Sequence, residues 1–341
     1  MNHYDALLLL SFGGPEGPDD VLPFLQNVTA GRNIPAERLL EVAEHYHHFG
    51  GVSPINGQNR ALIEALRESG FPLPIYFGNR NWHPFLTDTI SLMKADGVER
   101  ALVFVTSAFS SYSGCRQYRE DIAKACEAVG PGAPTFDKLR VFYNHPEFVA
   151  VMAERVKEAL AQLPDGSRVV FTAHSIPQGM ARNCDYEVQL RDSASLIASA
   201  CNLYRWDLAF QSRSGPPQVP WLEPDILDYL KSLPRSAGAG GAVPGVAVVP
   251  LGFVSDHMEV LYDLDYEAKN LAEELGLAFV RAGTAGTHPR MVRLIHTLVE
   301  ERTSDSPIPL ALGGRGPNHD VCPVNCCLRG EGRPPAPENS R

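Results

Sequence analysis

Short apolar runs alternate along the chain with stretches of helical periodicity: Ala6–Phe12, Ile75–Phe77, Ala101–Val105, Val169–Ala173, Leu208–Phe210, Val246–Val249 and Leu277–Val280. Continuous apolar runs separated by helical patterns mark βαβ units and buried parallel sheets. His145-Pro146-Glu147 opens a segment reaching Leu163 in which Phe148, Val151, Met152, Val156 and Leu160 share one helix face. The run after it starts a second series, so the domain boundary is placed at this helix. The expected fold class is α/β: two Rossmann-like domains, each a parallel sheet flanked by helices, over residues 1–150 and 151–310, followed by a cysteine-containing tail over 311–341. A length of 341 residues suits two domains of common size.

The runs of both halves end in small or polar residues: Ser11-Phe12-Gly13-Gly14 and Thr106-Ser107, then Ala173-His174-Ser175 and Gly252-Phe253. Ligands of doubly wound sheets gather at the carboxyl ends of strands, so a cleft between the two domains is the expected site. Ala237–Gly245 reads as a flexible loop, and the Gly/Pro/Ser-rich region after Arg302 cannot build a core by itself.

Composition narrows the function. With 30 Lys+Arg against 40 Asp+Glu, a formal charge of −10 argues against a sequence-independent nucleic-acid binder, although a local basic groove stays open. Met1–Asp5 lacks the basic start and long apolar core of a secretory signal, and Ala6–Leu10 is too short to span a bilayer; a cytoplasmic protein is expected. In a reducing compartment the crowding of Cys322, Cys326 and Cys327 suggests metal before disulfide.

Two segments carry candidate chemistry. Phe171-Thr172-Ala173-His174-Ser175-Ile176-Pro177 puts a histidine just past a buried strand, where its ring either points into the cleft as an acid/base group or is satisfied by backbone hydrogen bonds. Ser175 lacks a G-x-S-x-G turn and is not read as a nucleophile. In Ser255–Glu267 the acids Glu259, Asp263 and Glu267 recur every four residues along one helix face. Like charges at that spacing cost about 0.2–0.5 kcal/mol per pair, so a positive partner is expected to offset them. Either the face is simply solvated or, with His257 beside it, it is a route for a hard cation.

Thr172-Ala173-His174-Ser175-Ile176-Pro177 and Gly252-Phe253-Val254-Ser255-Asp256-His257-Met258-Glu259 resemble the two signature segments of ferrochelatases. The likeness extends to Gly50-Gly51-Val52-Ser53-Pro54-Ile55, to Gly78-Asn79-Arg80-Asn81-Trp82-His83-Pro84, and to Gln211-Ser212-Arg213-Ser214-Gly215 with Pro220–Pro224; the matches are collinear over roughly residues 5–300. The resemblance implies Fe²⁺ insertion into a porphyrin bound between two chelatase-like domains. By it His174 is the catalytic histidine, His257 and Glu259 are the second histidine with its acidic partner, and Asp263 and Glu267 are approach ligands for Fe²⁺. Metallation releases two pyrrole protons, so it needs a base on one face and oxygen or nitrogen donors to dehydrate Fe²⁺. Which of His174 and Glu259 takes the protons and which first holds iron stays open. Family members also distort the macrocycle, which needs apolar walls; Leu8, Leu10, Phe12, Ile55 and Phe109 are candidates for walls or for ordinary core.

The chain resembles the coproporphyrin III-using ferrochelatases of Gram-positive, actinobacterial type more than the membrane-associated protoporphyrin enzymes. That likeness implies propionate contacts from Tyr46, Ser53 and Tyr118, with Arg32, Ser113 and Arg116 as weaker candidates. Phe12 stands where many such relatives have tyrosine, so an axial oxygen ligand to the product iron is in doubt. Cys322-Pro323-Val324-Asn325-Cys326-Cys327 offers three thiolates, and soft thiolate clusters select zinc or iron–sulfur chemistry. A subset of ferrochelatases carries a [2Fe-2S] cluster on C-terminal cysteines plus one interior cysteine, and that likeness implies Cys115 as the interior ligand, ahead of Cys126, Cys184 and Cys201. An oxidisable tail without metal is the alternative. Expected partners are the porphyrin, Fe²⁺ and a haem-pathway enzyme receiving the product. Rival functions are a protoporphyrin IX ferrochelatase, a cobaltochelatase and a non-catalytic haem carrier. A nucleotide-dependent oxidoreductase is disfavoured, since Gly13-Gly14-Pro15-Glu16-Gly17 lacks the G-x-G-x-x-G spacing.

Overall fold

The computed structural model describes residues 3–31, 34–234 and 242–330. Within them eight strands form two four-stranded parallel sheets of identical plan. The first holds β1 (Ala6–Ser11), β2 (Ile75–Asn79), β3 (Arg100–Val105) and β4 (Thr135–Lys138) in the order β2-β1-β3-β4. The second holds β5 (Arg168–His174), β6 (Trp206–Gln211), β7 (Gly245–Val249) and β8 (Ala278–Arg281) in the order β6-β5-β7-β8. Strand β1 lies between β2 and β3, pairing Leu10 with Gly78 on one side and with Val105 on the other. Helices cover both faces of such a sheet, so Ala6 to Leu10 are all fully buried without any polar alternation.

All seven apolar runs lie in or overlap strands. The eighth strand, β4, has no apolar run: Thr135-Phe136-Asp137-Lys138 sits at the sheet edge and pairs only with β3. An edge strand with a solvated side needs charge more than hydrophobicity. Asp137 there accepts from Arg100 Nη2 (2.7 Å), Tyr4 Oη (3.0 Å) and Arg302 Nη2 (3.0 Å), joining three distant parts of the chain.

The helix Pro146–Leu160 begins where the sequence places it, with Pro146 in its first turn and the His145 ring accepting from Glu147 N (3.2 Å) as N-cap. It packs on β7 and against the helices Tyr186–Ala200 and Pro289–Thr303. One apolar cluster runs from Leu7 and Phe104 through Phe148 and Met152 to Phe171 and Val249, so the two sheets share a core. Leu8, Leu10 and Phe109 are buried in core clusters and form no cleft wall; they lie on or beside central strands whose faces are both covered. Phe12 is 37% exposed.

The tail is held by more than cysteines. Arg140, buried in the first half, pairs with Glu301 (2.7 Å) and donates to Leu310 O (2.8 Å). Asn144 donates to Gly316 O (2.8 Å), and Leu312 N donates back to Asn144 O (2.9 Å). Buried side chains thus satisfy carbonyls of a segment with no ladder of its own. No helix among the described residues is long and apolar enough to cross a membrane.

Candidate active site and cysteine centre

His174 closes β5 directly beside Gln211, the last residue of β6. Its Nδ1 meets the carbonyl of Ser175, an acceptor only, so Nδ1 carries a proton and Nε2 is the ring nitrogen turned to the site. Nε2 lies 3.7 Å from Glu259 Oε2. Glu259 is placed by the helix that starts at Met258 after the β7 loop. His257 is the N-cap of that helix: its Nδ1 accepts from Glu259 N (3.2 Å), which needs an unprotonated Nδ1. Burial, with His174 adding to it, pushes the His257 pKa below its ordinary value against the Glu259 carboxylate, in the direction that favours an unprotonated cap.

Beyond Glu259 the helix is π-wound from Leu261 to Ala268 before resuming as α-helix over Lys269–Glu274. In regular α-helix, residues four apart drift by about 40° around the axis. Asp263 nevertheless stands close enough to Glu259 and Glu267 to feel both charges, and π segments recur at functional sites. Gln211 Nε2 donates to Glu259 O (3.2 Å) and Asp263 Oδ2 (3.4 Å), and Ser212 Oγ bonds the same carboxylate oxygen. Ser212 adopts φ +60°, a conformation that its residue type does not announce in sequence.

The positive partner expected for the ladder is missing. Among the described residues no Lys or Arg pairs with Glu259, Asp263 or Glu267; Arg281 is taken up by Asp265 (2.8 Å) and Asp256 (3.0 Å). Burial first, then Glu259, pushes Asp263 up to about 7, with Glu267 adding to the rise against the hydrogen bonds from Ser212 and Gln211. Burial and then Asp225 raise Glu267. A file of unrelieved carboxyl groups suits an incoming cation that displaces protons. The sign of the stability effect follows. A carboxyl whose pKa rises on folding favours the fold least above the folded value, so its cost is complete above about pH 7 and absent below about pH 4. Asp263→Asn is therefore expected to raise the thermal midpoint by several degrees at pH 8 and to leave it unchanged at pH 4, measured by scanning calorimetry.

The first half supplies the opposite wall. Tyr46, in the helix Ala36–His48, packs on Phe24 with centroids 5.8 Å apart. Burial and the nearby Glu259 and Asp263 raise its phenol pKa well above the ordinary value. Ser53 is buried under the Gly14 loop and donates its N–H to Pro15 O (2.8 Å). Gly14 is required there, since a Cβ on it would stand 2.6 Å from Ser53 Cβ. Tyr118 is buried beneath Arg80, whose guanidinium lies 4.7 Å from its ring centroid and pairs with Asp121. Ser113 is exposed on the π-wound turn Tyr112–Arg116. Arg116 faces the tail, donating to Val324 O (2.7 Å) and Cys326 O (3.3 Å). Arg32 lies outside the described residues. The fold thus gathers His174, Glu259, Asp263 and Tyr46, with Gln211 and Ser212 as positioning residues that only their place in a shared segment had signalled.

Cys115, on the same turn as Ser113 and Arg116, is buried and interacts through its sulfur with Cys322 and Cys327, while Cys326 interacts with the same two. The quartet is closed: Cys326 Sγ and Cys327 Sγ are 3.4 Å apart, and S–H donation from Cys322 and Cys327 lowers the Cys115 and Cys326 pKa values. Cys126, Cys184 and Cys201 have raised pKa values, each from burial first. Four sulfurs in mutual contact form a donor set suited to soft metal chemistry.

Two parallel sheets of identical plan with an acid–histidine site at their strand ends define a chelatase-type fold. Solved structures share it: SirB from Bacillus subtilis with Fe³⁺ superposes at a TM-score of 0.56 with 12% identity, over 89% of this chain and 97% of that one. The cobalt complex of the sirohydrochlorin chelatase SirB of B. subtilis subspecies spizizenii gives 0.54 with 12% identity, over 88% and 95%. The sequence is far closer to another group. The family model described as ferrochelatase matches residues 4–303. A Rhodopirellula baltica protein named ferrochelatase is 56% identical over 97% of this chain and 95% of its own. The coproporphyrin III ferrochelatases of Streptomyces coelicolor and Frankia alni are 52% and 55% identical, over 98% and 95% of this chain and 96% and 86% of theirs. The chain belongs to the ferrochelatase family, a family of metal chelatases for which Fe²⁺ is a substrate.

Proposed function

We propose that the protein inserts Fe²⁺ into coproporphyrin III in the cytoplasm, releasing two pyrrole protons and giving iron coproporphyrin III for a later enzyme of haem synthesis. The observation that carries the chemistry is the His174 Nε2–Glu259 Oε2 pair, 3.7 Å apart at the head of the carboxylate ladder. Nε2 of His174 accepts protons or holds iron, Glu259 does the complementary task, and Asp263 and Glu267 dehydrate and deliver the ion. Choice of coproporphyrin is supported by likeness to the Streptomyces and Frankia proteins. Tyr46, Ser53, Tyr118, Ser113 and Arg32 are the proposed propionate contacts, and Phe12 makes no oxygen bond to the product.

The test is an anaerobic assay with Fe²⁺ and either coproporphyrin III or protoporphyrin IX, following porphyrin fluorescence. Loss of fluorescence with coproporphyrin at least about tenfold faster is expected; preference for protoporphyrin, or for Co²⁺ over Fe²⁺, overturns the substrate assignment.

Cys115, Cys322, Cys326 and Cys327 fit a [2Fe-2S] cluster, because their sulfurs interact in a closed quartet. When bound, the cluster would supply a soft-metal clip between the tail and the turn Tyr112–Arg116, away from the insertion site. Cys115→Ser is expected to remove the visible absorbance of anaerobically purified protein, and Cys201→Ser to leave it. Retained absorbance in Cys115→Ser sinks this ligand set.

A further inference from the structure

The tail carries donors beyond the four cysteines. His319 Nε2 lies 3.7 Å from Cys326 Sγ, and the His319, Cys322 and Cys326 ligand atoms all fall within 4.8 Å of one another. With Zn–S near 2.3 Å and Zn–N near 2.0–2.1 Å, a nitrogen and a sulfur on one tetrahedral ion stand about 3.6 Å apart. The His319–Cys326 separation is close to that edge. Cys327 Sγ is 3.4 Å from Cys326 Sγ but stands outside this group of mutually close donors, so the fourth position of the tetrahedron is left open to water.

Neighbouring residues hold this arrangement. Arg302 pairs with Asp320 next to His319, and Gln189 Nε2 donates to Asn318 Oδ1 (3.4 Å) on its other side. Cys326 N donates to Pro323 O (3.1 Å) and folds the cysteines back toward the imidazole. A cavity of about 260 Å³, lined by Arg182 and Asp185 among others, opens onto His319 and Cys326.

We propose that His319, Cys322 and Cys326 form a mononuclear three-donor site, its fourth position open to water, for a soft divalent ion such as Zn²⁺, which does not use Cys115. The site shares Cys322 and Cys326 with the quartet proposed for the cluster, so the two occupants exclude each other. Loss of a cluster then leaves a site that a single ion can fill. The proposal stands whether or not the cluster reading does.

Full-length protein free of cluster and zinc, kept reduced, is titrated with Co²⁺, and thiolate-to-cobalt charge transfer is read in the near ultraviolet. The active site holds no thiolate and is silent there. One equivalent of a tetrahedral thiolate complex is expected, displaced by Zn²⁺. His319→Ala is expected to weaken Co²⁺ binding at least about tenfold and to leave cluster absorbance, where the wild type has it, unchanged. Cys115→Ser is expected to keep the Co²⁺ spectrum. His319→Cys, which restores a third protein donor, is expected to recover binding with stronger charge transfer, separating ligation from damage to the tail. Unchanged affinity in His319→Ala, or loss of the Co²⁺ spectrum in Cys115→Ser, overturns the proposal.

Discussion

His174→Ala is expected to reduce iron insertion by at least roughly 10²–10⁴-fold, the range for removing a positioned acid–base group, while the protein stays folded. The loss is chemical because of where the ring stands. Its Nδ1 is committed to the Ser175 carbonyl, which leaves Nε2 as the one ring acceptor, 3.7 Å from Glu259 Oε2. Alanine removes that nitrogen, and no second ring nitrogen takes its place: His257 Nδ1 is spent on Glu259 N, Gln211 Nε2 is a donor, and Glu259 is left with its own half of the task. Stability is expected to hold because the side chain is 32% exposed and fills no core space. Stopped-flow porphyrin fluorescence gives the rate, and circular dichroism with a thermal scan checks the fold. Near-wild-type turnover by a folded variant removes His174 from the reaction.

Glu259→Gln is expected to lower kcat by a similar factor with the porphyrin Kd unchanged within about twofold. The amide keeps the shape and the helix position, since Glu259 is located through its backbone, whose N–H reaches His257 Nδ1 and whose carbonyl takes the Gln211 bond. Only the charge and proton-accepting capacity are lost. A fluorescence-quenching titration separates binding from turnover. A variant that no longer binds porphyrin makes Glu259 a substrate anchor, and one that turns over normally places proton transfer elsewhere.

The central strands and the chemistry-bearing segments were legible in the chain, for different reasons. β1 and β7 are buried on both faces, and a run such as Ala6-Leu7-Leu8-Leu9-Leu10 satisfies little else. The segments around His174 and Glu259 were legible because a histidine at a strand end and acids in period four are local patterns. β4 was not, since an edge strand is defined by its partner β3 and by the Asp137 charges. Nor was the use of Arg116 and Arg140 to hold tail carbonyls far along the chain.

The sequence by itself determined the two parallel sheets, the family, the separate His174 and Glu259 segments and the crowding of three tail cysteines, because each is written in residues near one another or in a hydrophobic period, whereas the 3.7 Å meeting of His174 with Glu259 is a product of the fold. Only the tertiary structure decided what depends on distant residues meeting. It put Tyr46 of the first half near Glu259 and Asp263 of the second, and raised the Asp263 pKa by burial. It spent His257 on a helix cap, brought Cys115 to the tail thiols and turned His319 toward Cys326. Burial and through-space charge are properties of packed surroundings, and no local pattern along a chain encodes them.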